Sequence, residues 1–227
     1  MQKISFKDRF GLTDLVLSGQ KTQTRRIVPK EVFTFDWDIR ENYENGTLEL
    51  VIADSFGSYH NVIDTIYNKY KNNEVVAVAQ NYEKAGVDFV PFKKGCKKWG
   101  DARKLAGWTN KMFVRADLMP HAIKITNVRI ERLQDISDED CLAEGVEKDL
   151  AEGLALYWFP VHIEGISWEE WKARSYELSR HEYEGKPGEY FWGTPQEAYA
   201  ALIDKVNGKG TWESNPYVWA YDFELVK

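Results

Sequence analysis

Lysine, threonine and arginine crowd into one short stretch, Lys21-Thr22-Gln23-Thr24-Arg25-Arg26. Hydroxyls beside cations can bind an anion; where a base takes the hydroxyl proton they become nucleophiles. Residues 21–30 carry Lys21, Arg25, Arg26 and Lys30 and no acid, so the segment is strongly positive in a chain of net charge -6. In a strand, Thr22, Thr24 and Arg26 face one way and Lys21, Gln23 and Arg25 the other. A solvated edge strand whose cations discourage edge-to-edge pairing accounts for the same residues. On chemistry alone that is the better reading.

A second positive block holds Lys93, Lys94, Lys97, Lys98, Arg103 and Lys104 against Asp101 alone. Phe92, Trp99 and Trp108 are interleaved with it, a composition suited to tracking a nucleic-acid backbone. A mobile loop whose tryptophans pin it to the body of the protein accounts for it equally well. The acidic net charge of the whole chain disfavours indiscriminate nucleic-acid binding.

Other chemistry is sparse. There is no G-x-x-x-x-G-K-[ST] loop, and Gly208-Lys209-Gly210 lacks the context of a dinucleotide fingerprint. His60, His121, His162 and His181 are scattered, with no pair at metal-ligand spacing, so neither a metal nor a cofactor is expected. Cys96 and Cys141 make no disulfide framework. Charged residues interrupt the first 20 positions, and no stretch approaches the ~20 apolar residues of a membrane span. These features predict a reduced, cytoplasmic protein.

Stepping outward from the cationic stretch, the elements that must position it can be read from pattern. Leu12, Leu15 and Val16 give a short helix that Ser18-Gly19 ends, and residues 21–28 a strand. Asn45-Gly46 is a turn signal; Leu48, Leu50 and Ile52 alternate as a strand, with Gly57 and Tyr59 in its hairpin partner. Asn61 caps a predicted helix striped by Val62, Ile63, Ile66 and Tyr70. Residues 74–80 and 121–133 read as strands, and 84–111 as a long loop. Ser137 opens a short helix ending at Gly145. A helix opened by Ser167 carries Trp168, Trp171, Ala173 and Tyr176. Thr194-Pro195-Gln196-Glu197 is a clear helix start, and Tyr217 to Leu225 an apolar closing strand. With 227 residues, 43% hydrophobic and 29% charged, the chain suits one domain with insertions.

The ordered set resembles the ASCH-domain proteins, a branch of the PUA-like superfamily, in which a short helix runs into G-x-K-T-x-T-x-R. The larger phage and prophage members are the most similar. The blocks are Gly19 to Arg26, Val75 to Gln80, Met112 to Arg115, Met119-Pro120, Ile123 to Ser137, Glu144-Gly145, and the closing Trp212, Asn215 to Trp219 and Phe223. They are spread over roughly half the chain. The resemblance implies an α+β fold: a mixed, mostly antiparallel PUA-like β-barrel with peripheral helices and inserted loops. It would be a single domain, 1–227, with insertions at about 31–72, 84–111 and 150–193.

The resemblance also implies a function. A PUA-like module would bind RNA or a modified nucleoside or nucleotide in a cleft lined by the Lys21–Arg26 strand. Thr22, Arg25, Arg26, Gln80 and Arg115 are then the ligand-binding candidates. Small single-barrel members are amidohydrolases acting on N4-acetylcytidine, which gives the alternative: deacylation through Lys21, Thr24 and Glu144. Thr24 would be nucleophile, Lys21 its base if desolvation lowers its pKa, and Glu144 the group that positions the ammonium. Residues three apart in an ideal strand point to opposite faces, so Lys21 must sit in the turn after Gly19 or in a bulge to meet Thr24. A purely structural Lys21–Glu144 ion pair remains open. Where many larger relatives have Arg-Glu, this chain has Ala79-Gln80, which removes a charged pair near the expected cleft.

Overall fold

The computed structural model describes residues 1–34, 36–41, 48–92, 94, 97–151, 154–159 and 192–226. The Asn45-Gly46 turn, Cys96, His162, His181 and the helix expected after Ser167 lie outside the described residues. The described elements, in chain order, are β1 (Lys3–Ile4), α1 (Leu12–Leu17), β2 (Gln23–Ile27), β3 (Trp37–Glu41), β4 (Leu48–Ala53), β5 (Tyr59–Asn61) and β6 (Val75–Val78). There follow β7 (Phe89–Pro91), β8 (Trp99–Asp101), β9 (Ala122–Arg132), α2 (Asp138–Ala143), β10 (Glu147–Ala151), β11 (Leu154–Trp158), α3 (Pro195–Asn207) and β12 (Tyr217–Leu225). The chain is therefore a strand-rich α+β protein with several sheets and few helices. Among the described residues no helix is long and apolar enough to cross a membrane.

The central sheet has the order β1-β6-β9-β12-β2. The β1–β6 pair is parallel and the other three are antiparallel. Its axis is the pair of longest strands, β9 and β12. In β9 the apolar residues change phase: Ile123 and Ile125 are odd, Val128 and Ile130 even. The register shifts between Asp222 and Phe223, so that Asn127 pairs with Asp222 and Ile125 with Phe223, leaving Thr126 as the extra residue. That bulge puts all four apolar residues on one face, with Trp219, Tyr221 and Phe223 of β12. Ile4, Phe6, Val76 and Val78 join them in the main core. The other face, carrying Val218 and Ala220, is buried as well.

A second, smaller core gathers Ala77, Ala79, Tyr82, Val90, Ala102, Val114 and Met119. It lies under residues 84–111, which are not the expected loop. They form the antiparallel β7–β8 hairpin and short 3-10 turns. Two further small sheets, β3-β4-β5 and β10-β11, are separate in hydrogen bonding but pack on the main core through Leu50, Ile52 and Tyr157.

The helix expected after Asn61 is also corrected. Asn61 does cap, accepting from the Ile63 amide at 3.0 Å, but only a 3-10 turn over Val62–Asp64 follows. The carbonyls needed to continue a helix are taken by side chains. Asn68 and Lys71 donate to Ile63 O at 2.9 and 2.8 Å, and Lys71 also to Thr65 O at 2.8 Å. Ile66, counted in the apolar stripe, is 92% exposed.

Candidate functional site

The site is assembled where the chain leaves α1, enters β2 and meets the end of α2. Lys21 lies before β2, in the turn after Gly19. Its amide donates to Leu15 O at 3.0 Å, and the Thr22 amide donates to Ala143 O at 2.9 Å. These bonds fix Lys21 against the last turn of α2. That helix is short, begun by Ser137, whose hydroxyl accepts from the Asp140 amide at 3.1 Å. It ends at Gly145, whose φ of +102° suits glycine; a Cβ there would stand 2.8 Å from Leu15 Cδ1. The glycine lets the Leu15 side chain of α1 pack directly on the end of α2, next to Glu144 and Lys21.

Lys21 Nζ donates to Glu144 Oε2 at 2.5 Å and to Glu144 O at 2.6 Å. Only 2% of Lys21 and 4% of Glu144 is exposed. Burial holds the Lys21 ammonium below the usual lysine range, against the pull of Glu144; Arg26 and Arg25 add to the lowering.

Arg25 is the hub of the rest. Its Nη1 donates to Glu144 Oε1 at 3.3 Å and to Gln23 Oε1 at 3.1 Å. Its Nε donates to Glu131 Oε1 at 2.8 Å, and its Nη2 to Asp140 Oδ2 at 2.7 Å. Gln23 Nε2 donates to Asp140 Oδ1 at 2.6 Å. Arg129 closes the outer side by donating to Asp140, to Glu131 at 2.9 Å and to Asp222 at 2.8 Å. Desolvation would raise the Asp140 pKa, but the bonds from Gln23 and Arg25 and the charges of Arg129 and Arg25 outweigh it, and the net shift is downward.

Two further groups complete the enclosure. The Tyr199 ring of α3 lies 6.0 Å from Arg25 Cζ, and its buried hydroxyl has no partner among the described residues. Burial beside Glu144 pushes the phenol well above its ordinary value. Burial likewise pushes the Cys141 thiol up to about 12, against the pull of Arg25, so this cysteine is a small core side chain and not a nucleophile.

The sequence candidates therefore separate into three places. Lys21, Arg25 and Glu144 come together, with Thr22 exposed beside them. Thr24 pairs with Tyr221 in the register, one residue from Arg25, so its side chain leaves β2 on the opposite face. It is buried, and its hydroxyl makes no bond to Lys21 or Glu144. Arg26 shares that face and donates to Ser5 O at 2.7 Å. Gln80 and Arg115 belong with the second core. Gln80 is buried against Met119 with an unpartnered Oε1, and Arg115 is tied to Asp117 at 2.6 Å and Pro91 O at 2.9 Å.

Sequence reasoning missed Gln23, Arg129, Glu131, Asp140, Tyr199 and Asp222. A usable signal was present: Gln23/Arg25 and Arg129/Glu131 are polar pairs two apart on strands, which places each pair on one face. Among the described residues no group of His, Cys, Asp and Glu is arranged to hold a metal ion. The acids here are turned toward guanidinium and ammonium groups. As arranged, the network can fix charge and hold a proton equilibrium at Lys21. No family model, curated protein or solved structure matches this chain.

Proposed function

We propose that this chain is an ASCH-type, PUA-like module that binds RNA or a modified nucleoside or nucleotide beside the stretch running from Lys21 to Arg26. The observation that carries the reading is the Lys21–Glu144 contact. The resemblance singles out one residue from the G-x-K-T-x-T-x-R segment and one from the Glu144-Gly145 turn, and these two share a buried 2.5 Å bond. Buried ionisable groups whose pKa is displaced, as that of Lys21 is, are concentrated at functional sites and in structural ion-pair networks alike.

A barrel-like closure of the central sheet is part of the proposal. Its two edge strands are β1 and β2. Arg26 of β2 donates to Ser5 O, immediately after β1, and its guanidinium lies 5.6 Å from the Phe6 ring centroid. A side chain bridging the two edges supports a sheet curled most of the way round. In this reading Arg25 is a positioning residue, because four neighbouring side chains take its donors. Gln23 is held the same way by Asp140 and Arg25, so ligand contact falls to Thr22 and Arg26.

Free nucleosides and mononucleotides, natural and modified, screened by thermal shift, test the proposal. At least one should raise the unfolding midpoint, and Arg26→Ala should weaken that shift. A flat response to the whole panel would sink it.

The amidohydrolase reading keeps one supporting observation, the lowered Lys21 pKa beside Glu144. It lacks a nucleophile in contact with that base, since Thr24 faces the other way. Acetate release from N4-acetylcytidine that disappears in Thr24→Ala would restore it; no release from the unmodified protein removes it.

A further inference from the structure

The β7–β8 hairpin exposes aromatic rings to solvent. Phe89 is 55%, Phe92 70% and Trp99 56% exposed. Phe89 and Trp99 lie diagonally on one face, since Phe89 pairs with Asp101 and Pro91 with Trp99. The Phe92 ring packs against Gly100: a Cβ on that residue would stand 3.3 Å from Phe92 Cε1 and Cζ. The hairpin is anchored from below by Val90 and Ala102 in the second core, and Arg115 donates to Pro91 O. Gly100 pairs with Val90, so Phe92 lies on the Val90 side, and Phe89 and Trp99 are the rings held together on a fixed support with their outer sides open. Lys94, Lys97 and Lys104 of the same segment are exposed, against exposed Asp88 and an Asp101 occupied by Arg103 at 2.9 Å.

We propose that this hairpin is a docking platform for single-stranded RNA, separate from the Lys21–Arg26 stretch. Apolar rings left in water call for an apolar partner, and the lysines around them call for an anion. A single-stranded polynucleotide supplies both at once: unpaired bases with open π-faces, joined by a phosphate every nucleotide. A duplex hides its base faces, and an acidic peptide has none to offer. Trp108 does the other half of the work assigned to this region by composition, because it packs against the second core. The choice of RNA over DNA rests on the nucleoside reading above; the stacking and charge chemistry does not.

The test is fluorescence anisotropy of labelled U12 with the full chain in 50 mM salt. Binding is expected, falling about tenfold by 150 mM salt if three or so phosphates are neutralised. Trp99→Ala and Phe89→Ala should each weaken it at least about fivefold. Unchanged unfolding midpoints in both variants establish that only the surface was altered. Arg26→Ala should leave U12 binding intact, so loss of the nucleoside site and loss of the platform are read separately. Binding unaffected by the aromatic substitutions overturns the proposal. So does a 12-base-pair RNA duplex or a glutamate dodecamer that binds as tightly as U12, a tenfold preference for dT12, or capture by phosphatidylserine vesicles without U12 binding.

Discussion

The Lys21–Arg25–Glu144 network and the β7–β8 hairpin are made of the same residue types and put to opposite use. In the first, cations are out of water and each faces a carboxylate; the Arg25 side chain is 0% exposed and Lys21 2%. In the second, lysines and aromatic rings face solvent. A buried ion pair is no guarantee of stability, because desolvation can exceed the Coulombic gain. Once built, however, it cannot lose one member cheaply. An exposed cation contributes almost nothing to the fold and is available to a ligand. The contrast is what the proposals rest on: buried charges position, and exposed groups are free to make contact.

The largest expected effect breaks the first region. Glu144→Ala leaves Lys21 and Arg25 buried around a missing charge and should cost about 3–5 kcal/mol of unfolding free energy in urea titrations. The double replacement Lys21→Met with Glu144→Leu removes both charges of the pair and should recover most of that loss. A Glu144→Ala cost below about 1 kcal/mol would mean that the pair is not holding α2 to the start of β2.

Gly145→Ala should come next, at roughly 2–3 kcal/mol. The backbone there has φ of +102°, and the new methyl meets Leu15 Cδ1 at 2.8 Å. Relief comes from a shift of the buried Leu15 side chain or from separation of α1 and α2, and only the second moves Glu144 from Lys21. The variant therefore asks whether geometry at one backbone position controls the ionic contact. Thermal unfolding beside the Glu144→Ala double-mutant cycle answers it. Additivity of the two changes would show that the contact is independent of the helix approach.

What could be read from sequence follows the same divide between local and distant causes. The start of α3 is legible because its cap is written in adjacent residues. Thr194 and Glu197 exchange side-chain-to-backbone bonds at 3.2 Å each, and Pro195 fills the first turn. β12 is legible because alternation repeats over nine residues. The β7–β8 hairpin is not, because three-residue strands leave no period to detect, and their pairing is decided by Val90 and Ala102 reaching a second core. The turn after Asn61 misleads for a related reason: side chains of Asn68 and Lys71 take the carbonyls that its apolar stripe would have used. At the site, Lys21 is legible in the cationic stretch, whereas Glu144 is reached only through a family resemblance. Arg25's partners Glu131 and Asp140 lie 106 and 115 residues away; the first reaches its face only through the β12 register, and the second comes from α2.

The smallest expected effect sharpens the comparison through pH. Asp140 is held below the usual carboxylate range, with burial opposed by bonds from Gln23 and Arg25. A depressed folded pKa means that its stabilising contribution is complete above the unfolded value of about 3.9 and is lost as pH falls through the lower folded value. Asp101 of the hairpin is also lowered, chiefly by its bond from Arg103, but water and salt screen that pair. Unfolding midpoints measured from pH 5 to pH 2 should therefore lose part of their acid dependence in Asp140→Asn. Asp101→Asn, which keeps an oxygen to accept from the Arg103 amide, should track the unmodified protein, most closely at high salt. Equal flattening by both substitutions would mean that the hairpin charges carry the fold as the buried ones do, and the division of labour between the two regions would fall.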